Sequence, residues 1–170
     1  PLSRGLGDVY KRQIFTNVGI VPAIISGLNI NELFSGASEV INNIDNYRPY
    51  DLGRYLTQKE NAKFTNNVLM TYSDSLYFFG KWYLQLWAES IGKNNKGITA
   101  IHSVGTTDQH SQLQLYLDGP KDKYFTFITT DHSNKGIKIN NDMFEGTAID
   151  YFKDKTMGDL MQAEQRATIE

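Results

Sequence analysis

The chain contains no cysteine. Disulfide frameworks, thiolate zinc sites, iron–sulfur clusters and thiol nucleophiles are excluded with it. Charge of one sign is also lacking: 17 Lys and Arg stand against 19 Asp and Glu, a formal net charge of −2. No basic field exists for general nucleic-acid binding. Apolar runs are short, so no membrane-spanning helix is expected. No charged start leads into an apolar run at the N-terminus, so no secretion signal is expected either. P-loop, GxGxxG and HExxH patterns are missing, as are internal repeats, low-complexity tracts and heptad runs. What remains is a chain of 170 residues, 40% apolar and 21% charged. That composition is close to globular and argues against a wholly disordered chain. A soluble, cytoplasmic, cofactor-poor globular protein is expected. The length suits one domain or a piece of something larger.

The two ends favour the piece. The sequence starts at Pro1, not Met, and residues 1–13 (PLSRGLGDVYKRQ) are polar, Gly-broken and without a period of 3.6 or 2. Residues 156–170 (TMGDLMQAEQRATIE) read as a helix with no Gly or Pro stop. Truncation accounts for such an end better than fraying does.

Between the ends the pattern changes once. In the first part, Pro22 suits the first turn of a short helix over 22–26, with Gly27 behind it. Asn29 can cap a helix over 30–44 whose stripe is Leu33, Phe34, Ala37, Val40, Ile41 and Ile44. Residues 45–51 read as a loop and 52–64 as a further helix. Then strands begin. The pattern predicts strands over 67–72, 97–104 and 124–129. A mostly apolar helix over 76–91, ended by Gly92, separates the first two and is expected to be well buried. A helix over 109–117, capped by Thr107 or Asp108 and closed by Gly119, separates the last two. Weak extended structure is expected at 136–139, before the final helix. Strand, helix, strand, helix, strand is the order of a parallel α/β sheet with crossover helices. Such sheets bind ligands at the carboxyl ends of their strands, here residues 73–75 and 105–110.

Two residues stand out as candidates for chemistry. His110 lies in GTTDQH, where a strand gives way to a helix. Histidine is the acid/base of neutral pH, and a helix start favours anions such as phosphate. Taken alone, a plain cap at Asp108 beside an ordinary histidine accounts for the same residues. Glu89 lies near the C-terminal end of an aromatic helix, facing the unfavourable end of the helix dipole. Apolar neighbours there would make its carboxylate more basic and help it act as a general base. An exposed glutamate paired with Lys93 is the simpler reading. Of the rest, Thr71, Ser73 and Ser75 precede a helix and could bind phosphate, but Asp74 among them would repel it and favours capping. Tyr77, Phe78, Phe79, Trp82, Tyr83 and Trp87 read as core rather than a base-stacking platform. His102, His110 and His132 lack zinc-helix spacing, and Lys121 and Lys123 read as a solvated turn.

Ordered motifs then carry a resemblance. Residues 72–94 (YSDSLYFFGKWYLQLWAESIGKN) and 105–128 (GTTDQHSQLQLYLDGPKDKYFTFI) resemble glucose-6-phosphate isomerases of the compact bacterial form. Glu89 and His110 stand 21 residues apart, as in those members. Residues 16–37 (TNVGIVPAIISGLNINELFSGA) resemble the helical segment after the family's Gly-Gly-Arg signature, and 157–168 (MGDLMQAEQRAT) a late family helix. The likeness covers residues 14–170.

The resemblance implies a fold of α/β sugar-isomerase (SIS) domains. The chain would hold a partial SIS-type three-layer α-β-α sandwich with a mainly parallel sheet over 65–170, preceded by connecting helices over 14–64. It implies that Glu89 is the base moving a proton between C1 and C2 of the open sugar through a cis-enediol. It implies that His110 assists ring opening and is supplied to the site by a partner subunit, so a homodimer is expected. The role of Glu89 carries over more firmly, because long eukaryotic-type members arrange this region differently. The substrate would be a sugar phosphate, with no metal, organic cofactor, nucleic acid or membrane involved.

Other family parts are not matched. The phosphate-binding Ser/Thr loop and the catalytic lysine fall outside the chain, so the substrate-binding residues are unknown. The Gly-Gly-Arg signature should end about where Lys11 stands, and residues 1–13 resemble a cloning-adaptor leader instead. The chain alone is therefore expected to be inactive. A non-catalytic SIS-type sugar-phosphate-binding module and a ligand-free dimerisation piece are the alternatives.

Overall fold

The computed structural model describes residues 13–58, 63–140 and 144–170. The expected leader falls almost wholly outside them. The chain divides into two compact units, residues 1–62 and Lys63–Glu170.

The first unit is helical. Helix α1 (Asn17–Ile25) starts five residues before the expected start at Pro22 and carries Pro22 inside it. Gly19, in its first turn, lies where a Cβ would come within 2.2 Å of the Ile14 carbonyl oxygen, so the chain before the helix folds closely against it. Gly27, at φ +75°, follows the helix and turns the chain left-handed. Helix α2 (Ile30–Asn42) has the expected cap: the Asn29 side chain accepts from the Asn31 and Glu32 backbone N–H groups. Residues 45–51, expected as a loop, instead form α3 (Ile44–Tyr47) and the start of α4 (Pro49–Thr57). Pro49 stands at the helix start, where its missing N–H is harmless. Arg48, at φ +41°, makes the break between the two helices, and its guanidinium pairs with Asp51 at 2.7 Å. Helix α4 ends at Thr57, short of the expected residue 64; residues 59–62 lie outside the described part.

The second unit is a three-stranded parallel sheet in the order β2-β1-β3, built from β1 (Asn66–Thr71), β2 (Thr99–Val104) and β3 (Lys123–Ile128). The central strand is the core. Val68, Leu69 and Met70 are essentially fully buried, as is Tyr72 just beyond it. A strand covered on both faces must be apolar almost continuously. Helix α5 (Tyr77–Ile91) joins β1 to β2, and α6 (Thr107–Asp118) joins β2 to β3.

Side-chain alternation sends the two helices to opposite faces. On one face Tyr83 of α5 meets Asn67, whose amide donates to its hydroxyl at 2.5 Å. Gly80 of α5 presses on His102 so closely that a Cβ would lie 2.2 Å from the imidazole. On the other face Tyr116 of α6 joins Val68, Met70 and Tyr72, with Ile101, Phe125 and Phe127 packed against them. The Tyr116 ring stands edge-on to Phe125 at 5.1 Å. Its hydroxyl hydrogen-bonds buried Ser103 at 2.8 Å.

Two expectations need correction here. Helix α5 buries only Gly80 fully, and Phe78 is 80% exposed. One face of α5 packs on β1 and β2, and the helix's apolar circumference exceeds what that face can cover. Asp108 does not cap α6 in the usual way. Its carboxylate accepts from the Val104 backbone N–H at 2.6 Å, because the chain passes from strand to helix within two residues.

The last helix, α7 (Met157–Ile169), starts with a capping box. The Asp159 N–H donates to the Thr156 hydroxyl at 3.2 Å, and the Asp159 carboxylate accepts from the Thr156 N–H at 2.8 Å. The same carboxylate accepts from the Asn134 N–H at 3.0 Å. Lys138, in the segment expected to be extended, pairs with Thr156 in an isolated antiparallel bridge. The Asn134 and Thr156 donors hold the Asp159 carboxyl below the usual carboxylate range. A depressed folded-state pKa stabilises the fold above the unfolded value and stops doing so as pH falls through the folded one. Asp159→Asn is therefore expected to lower the urea midpoint at pH 6, with the gap from the parent closing below about pH 4. Urea titrations at both pH values read the difference, and a gap that stayed constant with pH would exclude the carboxylate as its source.

Candidate active site

Helix α5 runs antiparallel to the strands. Its Gly80 lies against His102, toward the carboxyl end of β2. Its Tyr83 lies against Asn67, near the start of β1. Its Trp87 indole donates to the carbonyl of Ile98, just before β2 begins, at 2.8 Å. Glu89, two residues further, therefore sits at the amino end of the sheet. It is half-buried, and the Gln85 amide one turn back donates to its Oε1 at 3.3 Å. The chain then reverses tightly. Gly92 caps the helix, Asn94, Asn95 and Gly97 take positive φ, and Lys93 bridges Lys96. This turn delivers β2 beside the helix end that carries Glu89.

His110 sits at the other end of the sheet. It is in the first turn of α6, past the carboxyl end of β2, and is exposed. The turn before it is seated on the Tyr72 ring: a Cβ on Gly105 would lie 2.4 Å from that ring. The Ser73–Ser75 turn lies at the same end, its two hydroxyls 2.6 Å apart. A cleft of about 360 Å³ opens there beside Thr106, lined also by His132, Lys135 and Glu164. The expected ligand-binding ends of β1 and β2 thus come together. Glu89 and His110 do not. Within one copy they are separated by the length of β2, roughly 20 Å.

The other two histidines are hydrogen-bonded into the fold. His102 Nε2 lies 3.0 Å from the Thr71 hydroxyl, and burial, with Lys81 nearby, pushes its pKa down. His132 Nε2 bonds the Tyr72 carbonyl, tying the chain after β3 to the end of β1. Among the described residues no group of three His, Asp or Glu side chains could hold a metal ion. No helix among them is long and apolar enough to cross a membrane. Sequence reasoning missed two ties that place the candidates, Trp87 to Ile98 and Gln109 to Thr168. The second pair lies 59 residues apart, a distance at which local pattern carries no signal.

A parallel sheet with crossover helices, loops gathered at its strand ends and a cleft beside them is the build of a ligand-binding α/β enzyme domain. Known proteins narrow this. The chain is 34% identical over 161 residues to glucose-6-phosphate isomerase of Rubrobacter xylanophilus, covering 92% of the chain and 37% of the relative. It is 36% identical over 163 residues to that of Methanocaldococcus jannaschii, covering 92% of the chain and 39% of the relative. Among solved structures, a hypothetical protein of Thermus thermophilus superposes with a TM-score of 0.73 at 28% identity, covering 90% of the chain and 38% of that protein. No family model matches. By sequence the chain is similar to glucose-6-phosphate isomerases, and it spans a little over a third of the length of the curated relatives it matches.

Proposed function

We propose that this chain works as part of a cytoplasmic glucose-6-phosphate isomerase, interconverting glucose 6-phosphate and fructose 6-phosphate in glycolysis and gluconeogenesis. In this reading residues 65–170 belong to a SIS domain and 14–64 to the helices leading into it. Glu89 takes the proton from C2 of the opened aldose, leaving a cis-enediolate with its charge on the C1 oxygen, and returns it at C1 as the C2 hydroxyl proton passes to that oxygen. The Gln85 amide on its Oε1 fixes the carboxylate's orientation. His110 moves the proton that opens the sugar ring. No metal or organic cofactor enters the reaction.

One observation carries the reading: Glu89 and His110 lie at opposite ends of one sheet, each at a surface. A single copy cannot bring both to one sugar. Two copies related by a twofold axis can, with each site taking Glu89 from one chain and His110 from the other.

The test is a transplant. Residues 14–170 replace the matching third of the Rubrobacter xylanophilus enzyme, and fructose 6-phosphate formation is followed in a coupled assay. The transplant is expected to turn over. Glu89→Gln within it should lower kcat by about 10²- to 10⁴-fold, the usual contribution of a general base. Unchanged turnover in that variant would remove Glu89 from the chemistry.

A further inference from the structure

We infer that Gln109 is a positioning residue for His110, strapping the first turn of α6 to the last turn of α7; this rests on the reading of His110 as the ring-opening group. Gln109 precedes His110 on α6. Adjacent helix residues point about 100° apart, so one can face the protein while the other faces solvent. That is the arrangement here, with Gln109 half-buried and His110 exposed.

The Gln109 amide donates to the Thr168 hydroxyl. Thr168 in turn donates to the Glu164 carbonyl at 2.9 Å, which orients its lone pairs toward the amide. The strap matters because α6 has a weak start. Thr106, at its N-cap, makes no side-chain cap bond, so part of the first turn's usual support is missing. The Asp108 carboxylate on the Val104 N–H and the Tyr72 ring under Gly105 hold the root of this turn. Only Gln109, among the side chains of this turn with a described hydrogen bond, reaches another helix. A histidine that must meet a sugar bound to a neighbouring copy gains its aim from that strap. A misplacement of about 1 Å at such a group costs about 100-fold in rate.

The experiment uses the full-length isomerase that carries this segment. Ring opening alone is read as anomer interconversion of glucose 6-phosphate by exchange NMR. Assembly of the rest of the site is read as inhibition by an acyclic phosphorylated hydroxamate, which mimics the enediol and needs no ring opening. Gln109→Ala should slow anomer interconversion about 10- to 100-fold while the inhibition constant stays within about twofold. Thr168→Val should do the same, and Thr168→Ser, which keeps the acceptor, should restore the rate. If rate and inhibitor affinity fall together, or if both Gln109→Ala and Thr168→Val lose their circular-dichroism signal, the pair is scaffold and the proposal is overturned. A parent enzyme that neither isomerises nor binds the hydroxamate would overturn the reading of His110 itself, a separate result.

Discussion

An equimolar mixture of full-length Glu89→Gln and His110→Asn subunits, refolded together, is expected to recover about a quarter of parental isomerase activity, although each variant alone is nearly inactive. The arithmetic follows from twofold symmetry. Random pairing makes half of the dimers hybrids. In each hybrid one site combines both defects and the other combines neither. Half of the dimers with half of their sites intact give one quarter. The measurement is activity after mixing, denaturing and refolding the two full-length variants together, against each refolded alone. The prediction rests on topology: α5 carries Glu89 back to the amino end of the sheet, and β2 carries the chain forward again before His110. If both residues served one site within one subunit, every hybrid site would hold one defect. Mixing would then restore nothing, and the two-copy arrangement would be abandoned.

Gly158→Ala is the second large effect, and it concerns stability. Gly158 is buried in the first turn of α7. A Cβ there would lie 2.0 Å from the His132 carbonyl oxygen and 2.7 Å from that of Lys135. Both obstacles are backbone, so no rotamer change relieves them. The helix start would have to leave the segment after β3. It would give up the Gly158 N–H bond to Lys135 at 2.9 Å and strain that of Met157 to Ile137 at 3.2 Å. The expected loss is about 3 kcal/mol, the upper part of the range for overpacking a filled site. It is read as a shift of the urea midpoint at constant slope. Gly36→Ala is the control, since nothing lies within 4 Å of a Cβ there. Ala suits a helix interior better than Gly, so that variant should match the parent or exceed it. A Gly158→Ala protein as stable as the parent would show that α7 and the 132–137 segment do not pack as described.

Much of the fold was legible because the strands were punctuated. The Asn67–Tyr72 run is apolar enough to be a doubly covered strand, and the alternation with helices announced a parallel sheet. The first 58 residues were harder to read. Pro22 argued for a helix start, yet the helix begins at Asn17 and carries Pro22 in its interior. Pro49, inside an apparent loop, was the better start signal. Helix α5 showed the limit of reading burial from composition. Tyr77 and Phe79 are apolar at helical spacing but each is about 40% exposed. Glu89 and His110 were legible as candidates through motif and spacing. Their placement at opposite ends of the sheet was not, because it depends on the direction in which α5 runs. The Gln109–Thr168 tie depends on tertiary packing, to which a local pattern is blind.

The strand order has a consequence for synthesis. β1 leaves the ribosome first but is flanked by β2 and β3, both of which come later in the chain. Its second neighbour is complete only at Ile128, 57 residues after Thr71. At 5–20 residues per second, that leaves Val68, Leu69 and Met70 without their full partners for roughly 3 to 11 s. The most deeply buried strand of the finished protein is thus the one exposed longest during translation.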